Sequence, residues 1–256
     1  MTSEVLYRVA DRVATITLNR PDQRNAINEQ VTAQLGAAIS AAENDPQVWV
    51  VILTGVGPGF CAGADLKTIA AGGSAQLATA AGGFAGFVRY PRTKPVIAAV
   101  HGFALAGGLE IMLACDLVVA ADTARFGLPE VTRGILAAAG GIYRLSLALP
   151  PARARELILT GDPIGADEAR SLGLINRVVP ADQVPVAALE LADRLCRNAP
   201  LAVRESLRLS RSARDLTEEQ SWQQTDEAAL RIRLTQDAHE GPQAFAEKRE
   251  PSWAGR

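Results

Sequence analysis

The parts of this sequence with most chemical potential are two acidic residues and two turns rich in small residues. Residues 60–66 (FCAGADL) and 94–111 (KPVIAAVHGFALAGGLEI) each run from a strand-like segment through small residues into a helix-like one. Small residues let the backbone approach a ligand closely and leave its N–H groups open. The first N–H groups of a helix are unpaired and lie at the positive end of its dipole. Two such turns brought together form a pocket suited to a developing oxyanion. Glu110 falls in the first turn of the helix opened by Gly107 and Gly108. A carboxylate there also complements the helix dipole, an effect worth ~0.3–1 kcal/mol. Glu130 follows the FGLP of residues 126–129, where proline can start a helix. Taken singly, each glutamate has a sufficient local explanation.

Other reactive residue types form no pattern. Cys61, Cys115 and Cys196 are far apart and in no CxxC arrangement. They read as small buried hydrophobes, with neither a disulfide framework nor a metal site indicated. His101 and His239 lack metal-ligand spacing. Cys61 adjoins one of the two turns, yet no histidine is placed to activate it as a nucleophile. No Walker loop occurs, and Gly102, Gly107 and Gly108 lack the spacing of a dinucleotide fingerprint.

The elements that must position these residues alternate between strand and helix. In Val13–Leu18, Ala14, Ile16 and Leu18 fall on one face, the period-two pattern of a strand. A helix is expected over residues 28–43, and short apolar runs at 48–53, 96–100 and 117–120 read as buried strands. Strands alternating with helices predict an α/β core with parallel pairing. Residues 72–86, made largely of Gly, Ala and Ser, are expected to be a mobile surface segment that builds no packed face. From about residue 180 the pattern turns helical. Val184, Ala188, Leu191 and Leu195 share a stripe, Pro200 separates that helix from the next, and Trp222, Ala229 and Ile232 are expected on one face of a later helix. Glu227 is placed to pair with Arg231 one turn on.

A chain of 256 residues with 48% hydrophobic and 21% charged content suits an ordinary globular core. The net charge of −2 gives no reason to expect nucleic acid or an anionic membrane as main partner. No apolar run approaches the ~20 residues that span a bilayer. The N-terminus lacks the order of a signal peptide, so a cytoplasmic location is expected.

The order of motifs along the chain resembles the enoyl-CoA hydratase (crotonase) family. The resemblance rests on AGADL at 62–66, KPVIAAVHGFALAGGLE at 94–110, CDLVVA at 115–120, ARFGLPE at 124–130 and GILAAAGG at 134–141. It continues through LTG at 159–161, ADEARSLGLINRVV at 166–179 and NAPLAV at 198–203. The ending at 240–256 is similar to carnitinyl-CoA dehydratases within the family. The resemblance implies an α/β fold, the crotonase (ClpP-like) spiral of ββα units, with a C-terminal helical region. Residues 1–195 would form the spiral core with the active site, and 196–256 a helical oligomerisation region.

The implied activity is hydration of a 2-enoyl-CoA thioester, with coenzyme A as part of the substrate and no further cofactor. By the same resemblance, the N–H groups of Ala62 and Gly107 bind the thioester oxygen, and Glu110 and Glu130 are the catalytic carboxylates. Arg24, Ala26, Gly63, Ala64, Asp65 and Leu66 lie along the coenzyme A path. Phe245 and Lys248 cover it, often from a neighbouring subunit of a trimer or hexamer. Two carboxyl groups close together in a partly dry site are not both ionised, so one can serve as acid while the other is base. The implied division makes Glu110 the base toward water and Glu130 the acid toward C2.

The sequence departs from the family pattern at His101, Ala106 and Ala137-Ala138, none of which removes a catalytic group. The last pair bears on the shape of the acyl pocket. Carnitinyl-CoA dehydratase, enoyl-CoA isomerase and a hydrolase are the rival activities. An RNA-binding relative needs a basic stripe, and residues 23–43 hold one arginine and no lysine.

Overall fold

The structure, a computed structural model, describes residues 3–256. Its strands are β1 (Val5–Ala10), β2 (Val13–Leu18), β3 (Val50–Gly55), β4 (Ala78–Thr79), β5 (Gly83–Phe84), β6 (Val96–Val100), β7 (Phe103–Leu105), β8 (Leu117–Ala121), β9 (Arg125–Gly127), β10 (Ile164–Gly165) and β11 (Arg177–Val179). Its α-helices are α1 (Glu29–Asn44), α2 (Leu66–Ala70), α3 (Gly107–Ala114), α4 (Gly141–Ala148), α5 (Pro151–Thr160), α6 (Ala166–Ser171), α7 (Val184–Cys196), α8 (Pro200–Ser212), α9 (Glu218–Arg233) and α10 (Gln236–Glu247).

The expected α/β architecture is present. A six-stranded sheet runs in the order β1-β2-β3-β6-β8-β11, antiparallel only between β1 and β2. A smaller sheet, β10-β9-β7, carries the short strands that follow β6 and β8. The chain therefore repeats a unit of long strand, short strand and helix, as in β6–β7–α3 and β8–β9–α4. This is the spiral of ββα units that the resemblance implies.

Burial explains which sequence signals were clear. Ala14, Ile16 and Leu18 of β2 are buried, as the alternation required. Every residue of β6 is buried, so its code is a continuous apolar run. Helix α1 opens on Asn28, whose side chain accepts from the Val31 N–H at 2.8 Å. Its C-terminal end is held by the buried Lys94, whose Nζ donates to the carbonyls of Ala42 and Asp45, both at 2.6 Å. Helix α7 packs across β3, β6 and β8 through its predicted stripe, with Val184 and Ala188 fully buried.

One expectation fails. Residues 72–86 do build a packed face: Leu77 and Ala85 are buried, and the Gly86 backbone lies against Gly36 of α1. A Cβ on Gly86 would sit 2.6 Å from the Thr32 carbonyl oxygen, so absent side chains are what permit the contact. In α9 the buried residue is Ala228, while Trp222 points to solvent at 62% exposure. The i,i+4 pair of Glu227 with Arg231 is present at 4.0 Å.

The last residues fold back. The buried Asp237 carboxylate accepts from the N–H groups of Ala254 at 2.7 Å and Gly255 at 3.0 Å. Trp253 donates its indole N–H to the Arg197 carbonyl at 2.7 Å. Among the described residues, no helix is long and apolar enough to cross a membrane.

Candidate active site

The two turns singled out above meet. Cys61 bridges Ala104, with the Leu105 N–H donating to the Cys61 carbonyl at 3.0 Å. One step further, a Cβ on Gly63 would lie 2.8 Å from both the Gly107 nitrogen and the Ala106 Cβ. Gly63 also has φ +97°, so glycine is required there for conformation and for space. Ala106, at φ 51° and ψ −128°, swings the chain from β7 into α3 and leaves Gly107 as its first residue.

The N–H groups at these turns are not equivalent. That of Ala62, expected to be one of the two donors, is already given to the Arg24 carbonyl at 3.0 Å. Its neighbour two residues on, Ala64, has no acceptor among the described residues, and neither does Gly107. The open pair is Ala64 with Gly107, and Ala62 is instead part of the scaffold.

A ladder holds that scaffold. The Ile27 N–H donates to the Gly63 carbonyl and the Asp65 N–H to the Ile27 carbonyl, both at 2.8 Å. Arg24 and Asn25, at φ 53° and 56°, make the left-handed turn that presents this edge. Asn25 suits that conformation and is buried, its side-chain amide donating to Val56 and Gly59 carbonyls, both at 2.8 Å.

Glu110 and Glu130 line one cleft of about 1170 Å³, together with Ala64 and Gly107. Both carboxylates are nearly out of contact with water, at 4% and 6% exposure. Burial raises the Glu110 pKa, while N–H groups of Gly141 and Ala139 and the Arg144 charge work in the opposite direction. The Gly141 N–H reaches Glu110 Oε1 at 2.9 Å. Burial pushes Glu130 further, up to about 7, opposed by its own backbone N–H and assisted by the charge of Glu110. Its Oε2 is buried without a hydrogen-bond partner. One carboxylate has a donor that favours its charged form, and the other has an environment that favours its proton.

The remaining expected positions divide into two groups. Arg24, Ala26, Ala64, Asp65 and Leu66 line the cleft, with Gly63 directly behind them. Asp65 spends its carboxylate on the fold, accepting from the Lys67 N–H at 3.1 Å and from Arg20 at 3.3 Å. Phe245 and Lys248 are not brought to the cleft; Phe245 projects from α10 at 87% exposure, and Lys248 ends that helix.

Cys61 is buried with its thiol pushed up to about 12, and Sγ donates to the Asn25 carbonyl at 3.1 Å, so it is a structural residue. His101 donates from Nε2 to the Gly57 carbonyl at 3.0 Å and does not line the cleft.

One position at the candidate site escaped sequence reasoning. A Cβ on Gly141 would lie 2.9 Å from Glu110 Cγ and 3.0 Å from Oε1, so glycine is what lets the carboxylate reach the N–H. The Gly-Gly pair before α4 was the available signal.

Comparison with known proteins follows the same outline. The family profile "Enoyl-CoA hydratase/isomerase" matches residues 8–256. The chain is similar to the carnitinyl-CoA dehydratase of Proteus mirabilis, at 41% identity over 250 residues and 95% of each chain. Among solved structures it is similar to an enoyl-CoA hydratase from Mycobacterium marinum, with a TM-score of 0.96, 42% identity and 100% of both chains covered. It is also similar to a carnitinyl-CoA hydratase from Mycobacterium avium, with a TM-score of 0.78, 45% identity and 100% of both chains covered. The chain therefore belongs to the enoyl-CoA hydratase/isomerase family.

Proposed function

We propose that this protein is a hydro-lyase that adds water across the 2,3-double bond of a 2-enoyl-CoA, or removes it from the 3-hydroxyacyl product. The observation that carries this reading is the pair of buried glutamates in one cleft, both with raised pKa, together with two open backbone donors. A thioester oxygen lying against Ala64 and Gly107 accepts two N–H bonds as negative charge builds on it. Loss of one such donor typically costs ~2.7–4 kcal/mol in the barrier. Ala64 replaces Ala62 in this role.

Glu110, held by the Gly141 N–H, takes a proton from water as its oxygen bonds to C3. Glu130 gives its proton to C2. The enolate collapses to the saturated thioester, leaving Glu110 protonated and Glu130 ionised, and exchange with solvent resets the pair. Run backward, the same steps eliminate water.

The names of the relatives favour a second reading, dehydration of carnitinyl-CoA, by the same two glutamates in the elimination direction. Isomerisation needs mainly one proton shuttle, and retention of both buried glutamates favours hydro-lyase chemistry. Leu66, Arg24 and Ala26 are proposed to hold the coenzyme A portion. The exposed Trp222, Leu230, Leu234 and Phe245 of the helical tail support packing against a second copy, in a trimer or hexamer. Phe245 and Lys248 would then cover a neighbour's coenzyme A.

The purified protein should consume the conjugated-enone absorbance of a short 2-enoyl-CoA, and Glu110→Gln and Glu130→Gln should each abolish this. Full activity in both variants would refute the assignment. Turnover of carnitinyl-CoA with none of any simple enoyl-CoA would select the second reading.

A further inference from the structure

We propose that Arg89 is a specificity-determining residue that favours acyl groups ending in a carboxylate and disfavours those ending in a quaternary ammonium. The proposal rests on the reading above that the cleft takes acyl-CoA thioesters, and it names the acyl class.

Arg89 lines the main cleft and also a second cavity of about 210 Å³ formed around residues 137–144. The two cavities share Arg89, Ala138 and Ala139, and no residue of the 22–69 stretch proposed to hold coenzyme A lines the smaller one. Arg89 therefore stands on the acyl side of the glutamates. Its backbone N–H is anchored to the Gly82 carbonyl at 2.8 Å. Its stem lies against Gly83, where an added Cβ would be 3.0 Å from Cγ and 3.1 Å from Cδ. The side chain is thus laid along the cleft wall.

The exposed Arg89 guanidinium has no hydrogen-bond or ion-pair partner among the described residues, a property it shares in this cleft with Arg24 on the far stretch. The other arginine on this wall, Arg144, is committed: it donates to the carbonyls of Ala139 at 3.2 Å and Val88 at 2.7 Å. The surrounding surface of Phe84, Val88 and Ala138 offers no counter-charge. Glu110 and Glu130 are the acidic residues nearest the chemistry, and Asp22 and Asp65 belong to the other stretch. A carboxylate on the acyl tail would receive the planar fork of donors that arginine presents. A trimethylammonium group there would meet two guanidinium charges and no carboxylate outside the catalytic pair.

The test compares three thioesters of coenzyme A with matched length: a 2-pentenoyl group, its terminal-carboxylate counterpart and its terminal-trimethylammonium counterpart. The readout is the ratio of kcat/KM for carboxylate over neutral, in wild type and in Arg89→Ala, Arg89→Lys and Arg89→Glu. Wild type should favour the carboxylate by about tenfold or more, the scale of one charged hydrogen bond. Arg89→Ala should lose that preference, Arg89→Lys keep part of it, and Arg89→Glu turn it toward the trimethylammonium substrate. Because the readout is a ratio within one protein sample, partial misfolding does not move it. An unchanged ratio in Arg89→Ala and Arg89→Glu overturns the proposal. So does an equal rise of KM for all three substrates, which would place Arg89 on a coenzyme A phosphate. Calorimetric titration with the saturated analogues separates the two readings. Carboxylate-selective, Arg89-dependent binding without turnover would refute the hydro-lyase assignment and support the role of Arg89; unselective binding would refute the latter.

Discussion

Replacing Glu130 by glutamine should make the protein more stable at alkaline pH while removing its activity. Glutamine is close in shape to a protonated glutamate and cannot ionise. In the folded protein the Glu130 carboxyl has its pKa raised from 4.5 to about 7 by burial, aided by the charge of Glu110. The folded state therefore holds its proton more tightly than the unfolded chain between these values. Stability declines as pH rises through that window, and the cost is complete above about pH 7. The difference, 7 − 4.5 = 2.5 pH units, corresponds to about 3 kcal/mol at roughly 1.4 kcal/mol per unit. For a chain of this size that is on the order of 5–10 °C in Tm. Thermal unfolding of wild type and Glu130→Gln should coincide near pH 4.5 and diverge in favour of the variant by pH 8.5. A variant less stable than wild type at pH 8.5, or a difference that does not change with pH, would show that the carboxyl is not held in an environment hostile to its charge.

Two further outcomes are expected. In the hydration direction kcat/KM should fall above about pH 7 as Glu130 loses its proton, with an acidic limb set by Glu110 above the ordinary carboxylate range; a flat profile from pH 6 to 9 would remove Glu130 from the acid role. Gly141→Ala should lower kcat by about a hundredfold, the scale of a carboxylate displaced by about an ångström, because the new methyl would stand 2.9 Å from Glu110 Cγ; wild-type kcat would mean that the Gly141 bond does not orient the base.

How much of this was readable from the sequence depended on the kind of contact involved. Strands β2 and β6 were legible because the burial of each face writes itself directly into residue type. So was the start of α1, since an asparagine cap acts within three residues. The segment against Gly36 was not legible, because it packs by lacking side chains and so leaves no periodicity. Trp222 shows the converse: an aromatic at helical spacing on α9 faces solvent, while the buried position of that helix is the small Ala228. The two glutamates that motif order singled out line one cleft, whereas which of Ala62 and Ala64 keeps an open N–H needed tertiary information. Which N–H remains open is decided by the Arg24 carbonyl, 62 − 24 = 38 residues upstream.

That same rung, from Ala62 to Arg24, bears on when the proposed oxyanion site is assembled. The ladder between residues 24–27 and 62–65 is made of the chain's own backbone hydrogen bonds, and these fix the position of the Ala64 N–H without a contribution from a thioester. The ordering entropy of this turn, the proposed oxyanion site, is therefore met during folding and draws nothing from substrate affinity. Arg24 and Ala26, proposed above to hold the coenzyme A portion, lie on the segment that clamps this turn, so under that proposal tension on the nucleotide end of a thioester is transmitted through backbone. Truncated thioesters lacking that end should bind a hole already formed, and their deficit should lie in residence time more than in the reactivity of the molecules that do bind.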